Sequence, residues 1–144
     1  MNNTHSFLEQ KHNIIQDCVD YTSSLFENIF TNSKIQTTLK EKFNALNEVD
    51  LQSLQLKNEI KDYLFGVRGQ SAGLFKMFAR AKGFDSLYQI IKDKRERCPD
   101  TPAGIIKCYL LDSIENKFTQ QELQLQNKTN ESWQTQLRAI RENF

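Results

Sequence analysis

Apolar residues recur three and four apart along almost the whole chain, a spacing that favours amphipathic helices over strands. Phe7, Ile14, Cys18, Leu25, Phe26 and Ile29 fall on one face of a first helix, and Ile35, Leu39, Phe43 and Leu46 mark a second. After a restart near Asn47 to Asp50, Leu54, Ile60, Tyr63 and Leu64 form the inner face of a third. Leu74, Phe75, Phe78 and Ala79 belong to a short helix over 71–82; Leu87, Ile90 and Ile91 belong to the next. Ile105, Tyr109, Leu110 and Ile114 line another, and Trp133, Leu137, Ile140 and Phe144 give the terminal segment its stripe. Five glycines and two prolines in 144 residues cannot supply the turn every 8 to 12 residues or so that a β-sandwich needs. The expected fold is therefore all-α: a compact array of about six or seven helices with no sheet, forming a single domain over 1–144.

Capping chemistry sets the expected boundaries. Ser6-Phe7-Leu8-Glu9 and Thr119-Gln120-Gln121-Glu122 match the pattern in which hydroxyl and carboxyl (or amide) side chains satisfy orphan backbone donors reciprocally. Thr31-Asn32-Ser33 interrupts the first helix, and Gly66 and Gly69 break the third. Gly83 stands where a left-handed residue closes a helix, and Asp85 or Ser86 caps the one after it. Thr101 is an N-cap candidate, with Pro102 at a first helical position that needs no N–H. Residues 126–132 are polar enough to be an exposed helix or a break.

Charge is distributed unevenly under a net of +1. Residues 1–65 carry 6 basic and 9 acidic side chains, residues 66–97 carry 8 and 3, and residues 98–144 carry 5 and 6. The three regions read as acidic helices, a basic helix pair and C-terminal helices. A basic middle favours an anionic partner, whereas near-neutral total charge argues against a strong polyanion binder. Within it, "KDKRER" over 92–97 reads as a solvated helix end whose Arg95 and Arg97 complement the helix dipole.

Several functions find no support in the residues. The stretch "GVRGQSAG" lacks the Gly-Lys-Ser/Thr ending of a phosphate-binding loop. Cys18, Cys98 and Cys108 have no short pairing, and only His5 and His12 could join them, so no metal site is expected and the cysteines read as free buried thiols. Asp17 with Asp20, and Asp112 with Glu115, are simplest as solvated faces. No nucleophile and base share a motif; the expectation is a non-enzymatic protein without cofactors. No apolar run approaches the roughly 18 residues of a membrane span. Met1-Asn2-Asn3-Thr4 opens without a basic or apolar leader, so the cytosol is the expected compartment and no membrane partner is foreseen.

Two binding roles remain. Ala79, then Gly83, then Phe84 follows the tight-turn spacing of helix-turn-helix units, whose second helix enters the major groove. DNA would then meet Ser86 and Gln89, beside Asp85, at base edges, and Arg68, Lys76, Arg80, Lys82 and Lys92, beside Lys94, at phosphates. The alternative is a protein-binding adaptor or inhibitor, or a homodimer. It would use Phe75 and Met77, which cannot both turn inward with Phe78 from one short helix, together with Trp133 and Leu137. Adjacent Leu110 and Leu111 pose the same surplus of apolar surface.

Residues 78–118 also resemble a helical tail of some plasmid and phage replication proteins. The shared features are the Ala79-x-x-x-Gly83 helix turn and the Pro102-Ala103-Gly104 helix closed near Phe118. That resemblance implies an association with DNA replication or a mobile element, not an enzymatic activity.

Overall fold

A computed structural model describes residues 3–43 and 50–142, with side chains for 6–43, 50–127 and 137–142. Six helices appear among the described residues: α1 Asn3–Thr31, α2 Ser33–Lys42, α3 Leu54–Phe65, α4 Leu74–Ala79, α5 Phe84–Glu96 and α6 Pro102–Glu142. Expectations for Leu46, the restart over 47–49 and Phe144 lie outside the described residues, as do the side chains of His5 and Trp133.

The expected absence of strands needs one correction. Gly66–Val67 (β1) and Ser71–Ala72 (β2) pair antiparallel, with Gly66 opposite Ala72 and Val67 opposite Ser71. Gly69, at φ 78°, lies in the turn between the two strands, while Gly66, at φ 82° and ψ 172°, ends α3 in a backbone conformation that favours glycine. A Cβ on Gly73 would lie 2.3 Å from the Gly66 nitrogen, so the two ends of the hairpin meet backbone against backbone.

Three helix starts follow from local chemistry. The Asn32 side chain accepts from the N–H groups of Lys34 (3.0 Å) and Ile35 (3.3 Å). Ser53 accepts from Leu56 at 3.2 Å, and Thr101 accepts from Gly104 at 3.1 Å with Pro102 first in the helix. The two expected capping boxes are not helix starts. α1 begins at Asn3, ahead of Ser6, and α6 passes through Thr119 without a break. The Thr119 hydroxyl instead donates back to the Glu115 carbonyl at 2.9 Å, the mid-helix habit of threonine. Phe118 accordingly closes nothing, and the backbone over 126–132 is helical. Gly83 is not left-handed either: with φ 178° it is extended and serves as the N-cap of α5, ahead of Asp85 and Ser86.

α6 is the spine, about 60 Å long at 1.5 Å per residue, and α1, α2, α3 and α5 all pack against it. Lys117 lies over the Tyr21 ring and Gln121 donates to Asp17 at 3.1 Å, so α1 and α6 run antiparallel. Arg95 bonds both Asp112 and Glu115 at 2.5 Å, and the Tyr88 hydroxyl donates to Glu122 at 3.1 Å. These contacts set α5 antiparallel along another side of α6. Because α6 is enclosed from several directions, Leu110 and Leu111 are both fully buried, and the surplus expected there is absent. Leu54 misses the core: its side chain is 72% exposed, outside the buried Leu56, Ile60 and Leu64. Ile106, which the periodicity did not single out, is fully buried.

Aromatic rings join the helices across the core. Phe78 meets Phe118 edge-on with centroids 5.1 Å apart, and Phe7 meets Phe84 at 5.0 Å. Each such pair adds about 0.5–1.5 kcal/mol beyond the area it buries.

Candidate functional site

α4 and α5 form the helix pair that the basic segment suggested. α4 ends in a tightened turn, with the Arg80 N–H bonded to the Met77 carbonyl (3.1 Å) and Ala81 to Phe78 (3.0 Å). The connection Arg80-Ala81-Lys82-Gly83 then leads directly into α5, where Leu87 N–H bonds the Gly83 carbonyl at 3.2 Å. Ala81, Phe84, Leu87 and Ile91 are buried, which anchors both ends of the turn and turns the opposite face of α5 outward.

An open groove of about 550 Å³ runs between the two helices. Met77, Ala81 and Ile90 form its apolar part; Arg80 and Lys82 supply cations, Asp85 and Asp93 anions, and Ser86 and Gln89 neutral hydrogen-bonding groups. Four expected nucleic-acid contacts, Arg80, Lys82, Ser86 and Gln89, are thus brought together. All are exposed. Gln89 donates its amide to Asp93 at 2.9 Å, leaving its carbonyl oxygen for another partner.

The remaining expected residues lie elsewhere. Lys76 and Lys92 are exposed on α4 and α5 but do not line the groove, and Arg68 sits in the hairpin turn. Lys94 faces a different cavity of about 300 Å³ beside Glu59, Asp62, Tyr63 and Lys107. Arg95 is no solvated helix end: its ion pairs to Asp112 and Glu115 fasten α5 to α6 and use cationic charge that the segment total had counted. Asp112 and Glu115 therefore have a structural partner as well.

Phe75 requires a correction as a contact residue. It is 7% exposed, stacked on Phe65 at 5.7 Å and edge-on to Phe78 at 5.8 Å. α4 has neighbours on several sides, in α1, α3 and α5, so Phe75 and Phe78 both find cover. Met77 is half-buried at the groove, and Leu137 is half-buried near the end of α6.

Lys11 and His12 of α1 lie beside the basic pair. With Leu8 and Ile15 of α1 they line a second cleft of about 370 Å³ that reaches Ala79, the last residue of α4. Only the packing of α1 on α4 brings them there, and no spacing in the sequence signals it.

The cysteines divide. Cys18 is fully buried on α1, and burial pushes its thiol up to about 12. Cys98 and Cys108 are half-buried neighbours rather than fully buried; desolvation first, then the hydrogen bond to Cys108, raises the Cys98 thiol to about 11. Burial likewise raises the Tyr63 phenol, whose hydroxyl has no hydrogen-bond partner. No group of three or more His, Cys, Asp or Glu among the described residues could hold a metal ion, and no helix among them is long and apolar enough to cross a membrane.

Compared with known proteins, the chain matches no family model, no curated protein and no solved structure.

Proposed function

We propose that this chain is a non-enzymatic nucleic-acid-binding module, acting in replication or in a mobile element, that presents the α4–α5 pair to DNA. The observation that carries the reading is the gathering of Arg80, Lys82, Ser86 and Gln89 along one open groove at a short helix–helix turn. Arg80 and Lys82 neutralise backbone phosphate, with Lys76 beside them on α4 and Lys11 and His12 across Ala79. Ser86 and Gln89, near the start of α5, offer the hydroxyl and amide chemistry that reads base edges.

Asp85 and Asp93 weaken phosphate attraction in the same groove, and with the apolar patch of Met77, Ala81 and Ile90 they favour a second reading. In it the groove holds a partner protein whose segment alternates charge and carries an apolar side chain. Salt separates the two, because phosphate binding releases counterions and fades as a power of salt concentration. Fluorescence anisotropy with single- and double-stranded DNA across a salt series is the test. Binding that weakens with salt and is lost in the Arg80→Glu/Lys82→Glu variant upholds the DNA reading. No binding at low salt refutes it.

A further inference from the structure

We propose that Cys98 and Cys108 are a site of reversible oxidation, at which a small disulfide of the glutathione type converts the two thiols into one bond between the end of α5 and α6. The register of the α5–α6 hairpin is the first reason. Tyr88 meets Thr119 and Glu122, and Arg95 meets Asp112 and Glu115, so the paired residue numbers sum to between 207 and 210. Where the chain turns back, Pro99 comes against Gly104, a pair that sums to 203. Cys98 and Cys108, summing to 206, fall between these contacts and stand opposite each other. The helix face agrees. Gly104, Cys108, Asp112, Glu115, Thr119 and Glu122 step four, four, three, four and three along α6, the spacing of a single face.

The second reason is the contact itself and what holds it. The Cys98 thiol donates to the Lys94 carbonyl at 3.3 Å, and a hydrogen bond joins it to the Cys108 thiol. The Cys98 N–H bonds the Arg95 carbonyl at 3.2 Å, one turn from the ion pairs that fasten Arg95 to α6. Next to Cys108, Lys107 reaches Glu59 at 3.5 Å and lies over the Tyr63 ring at 4.8 Å, which ties that turn of α6 to α3. Bonding requires the sulfurs to close from this contact to about 2.05 Å. Side-chain rotation and the irregular connection over 99–101 supply that movement.

The third reason is access. Both thiols are half-buried and within reach of a small oxidant, whereas Cys18 is fully buried on α1. The chemistry is two successive exchanges. One protein thiolate attacks glutathione disulfide, and the first glutathione leaves as its thiolate. The second protein thiolate attacks the protein sulfur of that mixed disulfide and expels the second glutathione. Two electrons pass from the cysteine pair to glutathione disulfide, and the two thiol protons end on the two released glutathiones. Burial disfavours the Cys98 thiolate, so the bond is favoured by proximity rather than by an unusually nucleophilic sulfur.

Equilibration of the full chain with reduced and oxidised glutathione at a series of ratios, then alkylation and peptide mapping, tests the inference. Wild type should lose two of its three free thiols, with Cys98 joined to Cys108 inside one chain. The same spacing exists in the unfolded chain, so urea provides the control for sequence proximity alone. The equilibrium constant for the bond should be at least about tenfold more favourable in the native protein than in urea. Cys108→Ser should leave Cys98 free or bonded to glutathione, and Cys18→Ala should keep the bond; wild-type mapping decides if Cys18→Ala does not fold. Three free thiols throughout, glutathione on both cysteines, a bond between chains, or a constant no better than in urea overturns the proposal. None of these readouts involves nucleic acid, so this site and the groove reading stand or fall separately.

Discussion

Replacing Gly104 by alanine sets two effects against each other, and the structure says which prevails. In an exposed helix the exchange would stabilise by about 1 kcal/mol, because alanine loses less conformational freedom. Here a Cβ would fall 1.9 Å from the Pro99 carbonyl oxygen and 2.9 Å from its carbonyl carbon. Both are backbone atoms, so relief means moving the α5–α6 connection or the first turn of α6. That turn is held by the Gly104 N–H bond to Thr101 and by the buried Ala103 and Ile106. Overpacking of this kind costs about 1–3 kcal/mol and occasionally more. So severe an overlap with backbone belongs at the upper end, leaving a net loss of about 1–2 kcal/mol after the helix gain. For a chain of this size that is a fall in melting temperature of roughly 3–8 °C.

Thermal unfolding followed by circular dichroism reads the effect, with Gly69→Ala as the comparison. A Cβ added at Gly69 would meet nothing within 4 Å, but the residue carries φ 78°, so its variant suffers only left-handed strain, of about 1–2 kcal/mol. A Gly104→Ala protein as stable as wild type, or more so, would refute the close approach to Pro99. It would also remove the packing account of glycine in Pro102-Ala103-Gly104.

Two further outcomes follow from the core. Phe78→Ala removes a fully buried ring that touches Phe75 and Phe118 and should lower the urea-unfolding free energy by about 3–5 kcal/mol; a loss below about 1 kcal/mol would contradict its central position. Stability should also decline on the alkaline side. The Cys18 thiol ionises from its ordinary 9.0 when unfolded but near 12 when folded, so between those values the unfolded chain binds fewer protons and is favoured as pH rises. Urea titrations at increasing pH should show that slope, and Cys18→Ala should flatten it relative to its own neutral-pH stability; an unchanged slope would contradict the burial of this thiol.

How much of this was legible depended on the range of each interaction. The Asn32 break and the Thr101-Pro102 start are written in neighbouring residues, because a cap is satisfied within a turn of itself. The capping box at Thr119 misled, since the same hydroxyl can bond backward inside a helix when tertiary packing keeps the helix going. Gly66 and Gly69 signalled a break but not its form: a ladder of two short strands leaves no alternating pattern to read. Within the candidate site, the turn from α4 to α5 came from local spacing, whereas Lys11 and His12 join it from α1, far away in the chain. The segment charge overstated the cations open to a ligand, because Arg95 is paired with carboxylates on α6.

By itself, then, the sequence determined a predominantly helical chain and the boundaries at Asn32, Gly66 and Thr101, because periodicity and capping act over one or two turns. Only the tertiary structure decided which apolar faces are covered. Leu110, Leu111 and Phe75 are enclosed because several helices converge on them, while Leu54 and Ile140 remain outside. Burial depends on neighbours distant in the chain, and a helical stripe does not encode how many sides of its helix those neighbours will occupy.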